Sequence, residues 1–375
     1  MKTKGNIRVI ISGGGTGGHI FPAISIANAI KRNEPNAEIL FIGAEGKMEM
    51  KRVPEAGYDI IGLPICGFDR KHLFKNFAVL FKILKSQWKA YHIIKMFKPH
   101  VVVGVGGFAS GPTLKTAAMM GIPTLIQEQN SYAGVTNKLL ARSAKKICVA
   151  YEGMERFFDK KKIVMTGNPV RQDLLKNVIS RDEAIRHWKL NPAKKTILVV
   201  GGSLGAYTLN HCMLSGLEKI RQSDVQFIWQ TGKSYFQQAK KVIENNSNEY
   251  PMLFVTDFIS KMEYAYGAAD LIVSRAGAGS ISEFCLLKKP VILVPSPNVA
   301  EDHQTKNALA LVEQDAALYV KDSEAKGELL DLAIQTVQNS ELLAQLRTNI
   351  AKFAHHNSAD IIAKEVHKLA ETHHG

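Results

Sequence analysis

Short, almost uninterrupted apolar runs recur along this chain, and they restrict its fold more tightly than any other feature of the sequence. IRVIIS, EILFIG, YDIIGL, HVVVGVG, IPTLIQ and KKICVA stand in the first half; TILVVGG, VQFIWQ, MLFVTDF, DLIVSR and PVILVPS stand in the second. They are rich in Val and Ile and do not alternate apolar with polar, which is the pattern of parallel strands covered on both faces. Segments of helical spacing separate them, so βαβ units predominate. VIISGGGTGGH and ILVVGGSLGAY repeat one strand, glycine turn and helix pattern in the two halves. The expected fold is α/β: two doubly wound, Rossmann-like domains facing a cleft at the carboxyl ends of their sheets. The seam is expected near GNPVRQD, residues 167–173, where Gly, Asn and Pro interrupt the periodicity. The stretch 340–372 reads as helices.

The totals narrow the class. A chain of 375 residues suits two domains. Apolar runs stay short of the roughly 20 residues needed to cross a bilayer, and the mean hydropathy is −0.07. The N-terminus lacks the apolar core and cleavage site of a signal peptide, so a cytoplasmic location is expected. Cys66, Cys148, Cys212 and Cys285 are scattered without metal spacing and read as ordinary buried thiols. The net charge of +14 points to an anionic partner, a phosphorylated substrate or an anionic membrane surface. Nucleic acid is not expected, because there is no RNP-like motif, zinc-finger spacing or basic low-complexity tail.

IISGGGTGGH (10–19) ends a strand in a glycine turn and opens a helix. Gly13, Gly15 and Gly18 fit G-x-G-x-x-G, the dinucleotide fingerprint. Glycines let the backbone turn sharply and approach an anion, and the helix start offers unpaired N–H groups. A nicotinamide enzyme also places an acid at the end of the second strand to hold a ribose; here Glu38 precedes that strand and Glu45 comes late. GVGGFASGP (104–112), GGSLGA (201–206) and SRAGAGSISE (274–283) repeat the pattern. Several anion-binding loops suit substrates carrying diphosphates better than one nicotinamide cofactor.

Residues 66–98 form a basic amphipathic stretch. Phe74, Phe77, Phe81, Leu84 and Trp88 recur at three- and four-residue spacing, interleaved with Lys71, Lys75, Lys82, Lys85 and Lys89. Two readings fit: a core helix with a solvated basic face, or a face that dips into lipid headgroups while its lysines meet anionic lipid.

GGGTGGHIFPA, GVGGFASGP, QEQNSYAGVTNK, GNPVR, GGSLGA, SRAGAGSISE and EDHQTKNA occur in the order seen in the MurG family of glycosyltransferases, and the chain resembles that family from about residue 7 to 310. The resemblance implies the two-domain glycosyltransferase B fold, with residues 1–168 as acceptor and membrane-binding domain and 169–354 as UDP-sugar-binding domain. A C-terminal helix, about 355–375, would cross back to the first. It implies an inverting transfer: the C4 hydroxyl of the muramyl-pentapeptide on undecaprenyl diphosphate attacks UDP-N-acetylglucosamine and displaces UDP, in peptidoglycan synthesis. It places the enzyme peripherally on the cytoplasmic face of the inner membrane. Another UDP-sugar transferase, or a UDP-N-acetylglucosamine 2-epimerase of the same fold, is the alternative.

Residue by residue, the resemblance implies that Gly13, Gly14, Gly15, Gly106 and Gly107 form acceptor-diphosphate loops, and that Thr16, Gly17 and Gly18 reach the donor sugar. His19 would be the catalytic base. Donor contacts would come from Asn130, Arg171, Ser203, Ala278, Gly279, Ser280 and Gln304, with the backbone of Ile259 reading the uracil edge. Leu204 stands where the family usually has Gln. Glu283 matches the glutamate that binds both ribose hydroxyls, although Ser280-Ile281-Ser282-Glu283 also spells a helix capping box. No Asp-x-Asp metal pair stands beside a diphosphate loop. No cofactor and no structural metal are expected, a divalent ion in solution at most assisting.

Overall fold

A computed structural model describes residues 6–66, 76–170, 174, 179–244 and 252–373. The chain divides into two compact units, one of residues 1–171 with 355–375, the other of residues 172–354.

The first unit is built on seven parallel strands: β1 (Arg8–Ser12), β2 (Glu38–Ala44), β3 (Asp59–Leu63), β4 (Val101–Gly104), β5 (Thr124–Glu128), β6 (Lys146–Val149) and β7 (Ile163–Met165). Their order is β3-β2-β1-β4-β5-β6-β7. Both faces are buried, as the uninterrupted apolar runs require. Val9 and Ile11 of β1 face one core with helix Gly17–Asn33, whereas Ile10 faces a second core with Ala90, Ile93 and Ile94 of helix Asn76–Phe97. The chain direction of assembly reverses between β1 and β4, so the loops after these two strands leave the sheet side by side.

The second unit repeats the plan with β8 (Lys195–Val200), β9 (Val225–Gln230), β10 (Leu253–Thr256), β11 (Leu271–Ser274), β12 (Val291–Leu293) and β13 (Leu318–Tyr319), ordered β10-β9-β8-β11-β12-β13. Its reversal lies between β8 and β11. The short edge strands β7 and β13 are absent from the sequence reading; at three and two residues they carry no periodicity to detect. β2 begins at Glu38 itself, which corrects its assignment to the preceding loop and puts that acid at the strand end remote from the glycine turns.

Helix Ser358–His373 completes the first unit. Ala359, Ile362, Ala363, Val366 and Ala370 share one helical face and enter the core that holds Ile26, Ala27 and Ile30 of helix Gly17–Asn33. Arg32 pairs with Asp360 at 2.7 Å beside that contact; the pair is too exposed to contribute much, so apolar burial holds the helix. Cys148, Cys212 and Cys285 are buried. Burial pushes the Cys285 thiol up to about 12 and Cys212 up to about 11, which keeps them protonated near neutrality.

Ile362→Ala should cost about 2–5 kcal/mol of first-unit stability, the range for truncating a fully buried isoleucine. Urea unfolding of the purified variant measures it. A loss below about 1 kcal/mol would mean that the helix is not integral to that core.

Candidate functional site

The two glycine turns of the first unit interlock. Val105 N–H donates to Ser12 O at 2.9 Å and Gly14 N–H to Gly106 O at 3.3 Å. The Ser110 hydroxyl donates to Ser12 O at 2.7 Å and lies 2.9 Å from Gly106 O. Gly107, at φ +85°, comes so near Gly14 that a Cβ would overlap the Gly14 carbonyl. Gly106, at φ +93°, lies under the His19 ring, and a Cβ there would stand 2.9 Å from Nε2.

This packing orients the His19 ring. Its Nδ1 lies 3.0 Å from Gly14 O and 3.4 Å from Thr16 Oγ1. A carbonyl can only accept, so Nδ1 carries a hydrogen, and in the neutral ring the lone pair is on Nε2. Thr16 caps helix Gly17–Asn33 through extended backbone, its hydroxyl making no cap bond to a first-turn N–H, and no acid stands in that turn. The first N–H groups, at Gly17 and Gly18, therefore form an electropositive helix start.

Glu49, absent from the sequence reading, sets the shape of that loop. It is 1% exposed. Its Oε2 accepts from Gly15 N at 2.8 Å and its Oε1 from Ala44 N at 3.0 Å. A Cβ on Gly14 would overlap this carboxyl. No sequence signal distinguishes Glu49 from a solvated helix acid.

Glu128, also unremarked in QEQN, does the same for the neighbouring loop. Its Oε1 accepts from the Asn130 backbone N–H at 3.1 Å and Asn130 Nδ2 at 3.2 Å, while Oε2 accepts from Gly134 N at 3.0 Å and Asn137 Nδ2 at 2.8 Å. Asn168 of GNPVR is buried against this segment: Gln127 Nε2 donates to its Oδ1 at 3.1 Å, and its Nδ2 donates to Gln129 O at 3.0 Å.

In the second unit the turn after β8 exposes Ser203 and Leu204, the latter 79% exposed. Gly205 approaches Thr231 so closely that no side chain would fit. Arg275, just past β11, donates to Val294 O at 3.0 Å and pairs with Asp322, whose second oxygen accepts from Thr208 Oγ1 at 3.1 Å. That pair ties the turns after β8, β11 and β12 together.

Helix Ala278–Leu286 starts beside it, with Gly277 as N-cap and no side-chain cap bond. Ser280 and Glu283 thus lie inside the helix, and the capping box does not form; the helix begins three residues earlier than that motif requires. Glu283 instead accepts from the Tyr266 phenol at 2.7 Å. Ala278, Gly279 and Ser280 supply the small first turn of this helix. Ile259 is buried in the loop after β10, and Gln304 accepts from Ser296 N–H at 2.8 Å, so its NH2 is the end suited to a ligand. Arg171 lies outside the described residues.

Helix Asn76–Phe97 turns one apolar face of the basic stretch to the core and another outward. Phe81 is 71% exposed, Leu84 64% and Trp88 66%, while Ala90, Ile93 and Ile94 fill the core on the other face. Lys82 and Lys85 are exposed alongside, and Lys89 pairs with Glu45 at 2.9 Å. Phe74 and the side chain of Phe77 lie outside the described residues. Among the described residues, no helix is long and apolar enough to cross a membrane, and no cluster of three or more His, Cys, Asp or Glu side chains could hold a metal.

The models of the glycosyltransferase family 28 N-terminal and C-terminal domains match residues 9–149 and 196–364. A UDP-N-acetylglucosamine--N-acetylmuramyl-(pentapeptide) pyrophosphoryl-undecaprenol N-acetylglucosamine transferase of Phocaeicola vulgatus is 70% identical, over 98% of this chain and 97% of its own. The chain belongs to the MurG group of glycosyltransferase family 28. The crystal structure of Acinetobacter baumannii MurG superposes with a TM-score of 0.78 at 28% identity, covering 96% of this chain and 99% of that one. A UDP-glucose: anthocyanidin 3-O-glucosyltransferase in complex with UDP shares the fold, with a TM-score of 0.71 at 12% identity over 98% and 100% of the two chains. The two Rossmann-like units are those of the glycosyltransferase B fold, and membership of the MurG group sets aside the nicotinamide reading of Gly13, Gly15 and Gly18.

The loop geometry of this MurG-group protein yields a stability test. Glu49→Gln keeps the shape but turns an acceptor into an amide that faces a backbone N–H. Unfolding should become easier by about 1.5–3 kcal/mol, the worth of a hydrogen bond to a charged group. A variant indistinguishable from the parent in chemical denaturation would remove Glu49 as the loop's anchor.

Proposed function

We infer that this protein transfers N-acetylglucosamine from UDP-N-acetylglucosamine to the C4 hydroxyl of the undecaprenyl-diphosphate-linked muramyl-pentapeptide, making the lipid-linked disaccharide precursor of peptidoglycan. The observation that carries it is end-to-end identity of 70% with a relative named for that reaction. Similar overall folds among UDP-sugar enzymes of other specificity do not compete with that level of identity.

The chemistry follows from the groups described. His19 Nε2, left basic by the Nδ1 bond to Gly14 O, accepts the proton of the acceptor C4 hydroxyl as its oxygen bonds to the anomeric carbon. The bond from that carbon to the UDP oxygen breaks, inverting the centre. Negative charge then grows on the departing diphosphate, where N–H groups at the start of helix Ala278–Leu286 and of the Gly201–Ala206 turn stabilise it, Ser203 adding a hydroxyl. No resident metal enters this reading; a divalent ion in solution can assist. The Gly13–Gly15 and Gly106–Gly107 loops hold the acceptor diphosphate, with Thr16, Gly17 and Gly18 reaching the donor sugar. Glu283 accepts from the ribose hydroxyls, the Ile259 backbone meets the uracil edge, and Asn130, Arg171 and Gln304 complete the donor contacts.

The acceptor's lipid cannot leave the bilayer, so the enzyme works peripherally at the cytoplasmic face of the membrane. The exposed Phe81, Leu84 and Trp88 stripe, with Lys82 and Lys85 beside it, supports this reading: the rings enter the headgroup region and the ammonium groups meet anionic lipid.

Incubation with labelled UDP-N-acetylglucosamine and a short-chain lipid-linked muramyl-pentapeptide should yield the β-linked disaccharide; hydrolysis or epimerisation of the donor alone would sink the assignment. His19→Ala should lower kcat by about 10²–10⁴-fold, as for loss of a general base, with UDP affinity nearly unchanged. His19→Asn keeps a donor yet takes no proton, so near-normal turnover would reduce His19 to a substrate-positioning role. Phe81→Asp with Trp88→Asp should weaken binding to phosphatidylglycerol-containing vesicles by about tenfold or more while sparing turnover of a water-soluble acceptor analogue. Unchanged vesicle binding would move the membrane contact to another surface.

A further inference from the structure

A glutamate that must meet two neighbouring hydroxyls needs its carboxylate plane held. Glu283 is the sixth residue of helix Ala278–Leu286, past the turn in which backbone N–H groups could hold it, and it is half-buried. Its Oε2 lies 2.7 Å from the phenol oxygen of Tyr266, on the neighbouring helix Met262–Ala268. Tyr266 is only 4% exposed. Its ring meets that of the fully buried Phe284 edge to face, with centroids 6.0 Å apart at 84°. The phenol is therefore held by the core, and it in turn holds one oxygen of the carboxylate.

We propose that Tyr266 is a positioning residue for nucleotide selection: its phenol donates to Glu283 Oε2 and sets the carboxylate to receive the ribose 2′ and 3′ hydroxyls. This rests on the ribose-binding reading of Glu283. The lone-pair count permits it. A carboxylate oxygen accepts more than one hydrogen bond, so Oε2 can keep the phenol and still accept one ribose hydroxyl while Oε1 takes the other. Holding the carboxylate before the nucleotide arrives removes the ordering cost of a three-torsion side chain from the binding step. It also sharpens discrimination. A fixed acceptor left without its 2′ hydroxyl loses a charge-assisted bond and cannot swing to recover it, whereas a mobile carboxylate can.

Tyr266 also lines a cavity of about 270 Å³ walled by Arg181, Asp270 and Lys289. Truncation to alanine would open the core into that space, so the informative change is Tyr266→Phe, which removes only the phenol oxygen. Titration calorimetry of the full chain with UDP and with 2′-deoxy-UDP reads the effect. Tyr266→Phe should raise the Kd for UDP by about three- to tenfold, the net worth of one ordinary hydrogen bond, because the phenol acts on the nucleotide only through Glu283. Binding of 2′-deoxy-UDP, which keeps only the 3′ hydroxyl, should weaken by clearly less, so the preference for ribose falls. In a Glu283→Ala background the same substitution should do nothing further, because the two act as a unit. Glu283→Asp, which draws the carboxylate back by one methylene and leaves the core intact, should lower the ribose preference too, and decides the matter should Tyr266→Phe not fold. Equal weakening of both nucleotides by Tyr266→Phe would overturn the proposal and make the tyrosine a packing residue. A ribose preference untouched by Glu283→Ala would instead overturn the ribose reading itself, and the proposal with it.

Discussion

Everything at the first unit's site depends on one close backbone contact, between Gly14 and the Gly106–Gly107 pair. Parallel strands β1 and β4 lie side by side where the order of assembly reverses, and their turns can meet there only if neither carries a Cβ at the crossing. That contact places the His19 ring on Gly106 and its Nδ1 at the Gly14 carbonyl, and so determines which imidazole nitrogen remains basic. The second unit uses the same device, with Gly205 against Thr231 between the turns after β8 and β9.

Carboxylates, of which Glu49 and Glu128 are buried, shape the loops beside these contacts. Glu49 accepts two backbone N–H groups in one loop, Glu128 accepts backbone and side-chain amides in the next, and Asp322 receives Arg275 and Thr208 in the second unit. These carboxylates satisfy inward-facing N–H groups that the turns would otherwise leave unpaired. Helices Gly17–Asn33 and Ala278–Leu286 carry no acid in their first turns, so their starts stay electropositive.

The amphipathic helix Asn76–Phe97 shows where reading from a sequence stops. Spacing alone reveals that Phe81, Leu84 and Trp88 share a face, but an apolar face can be core or surface. Here Ala90, Ile93 and Ile94 already fill the core on the opposite side, and the larger residues are left outside. Both faces are apolar, and only the sheet beneath selects one. The SISE segment behaves likewise: the pattern of a capping box was legible, but Gly277 starts the helix earlier and Glu283 turns to Tyr266 instead.

The sequence by itself determined the two parallel sheets, the glycine turns with their affinity for anions, and the assignment of the chain to its family. These follow from period, from backbone chemistry and from motifs within a dozen residues, all local properties. Tertiary structure alone decided which nitrogen of His19 stays basic, that Glu49 anchors the first loop from 34 positions away, and that Tyr266 reaches Glu283 across 17. It also decided the two- and three-residue edge strands, which exist only because a neighbour offers hydrogen bonds. Contacts of this kind join residues with no local pattern in common, and only the folded sheet brings them within bonding distance.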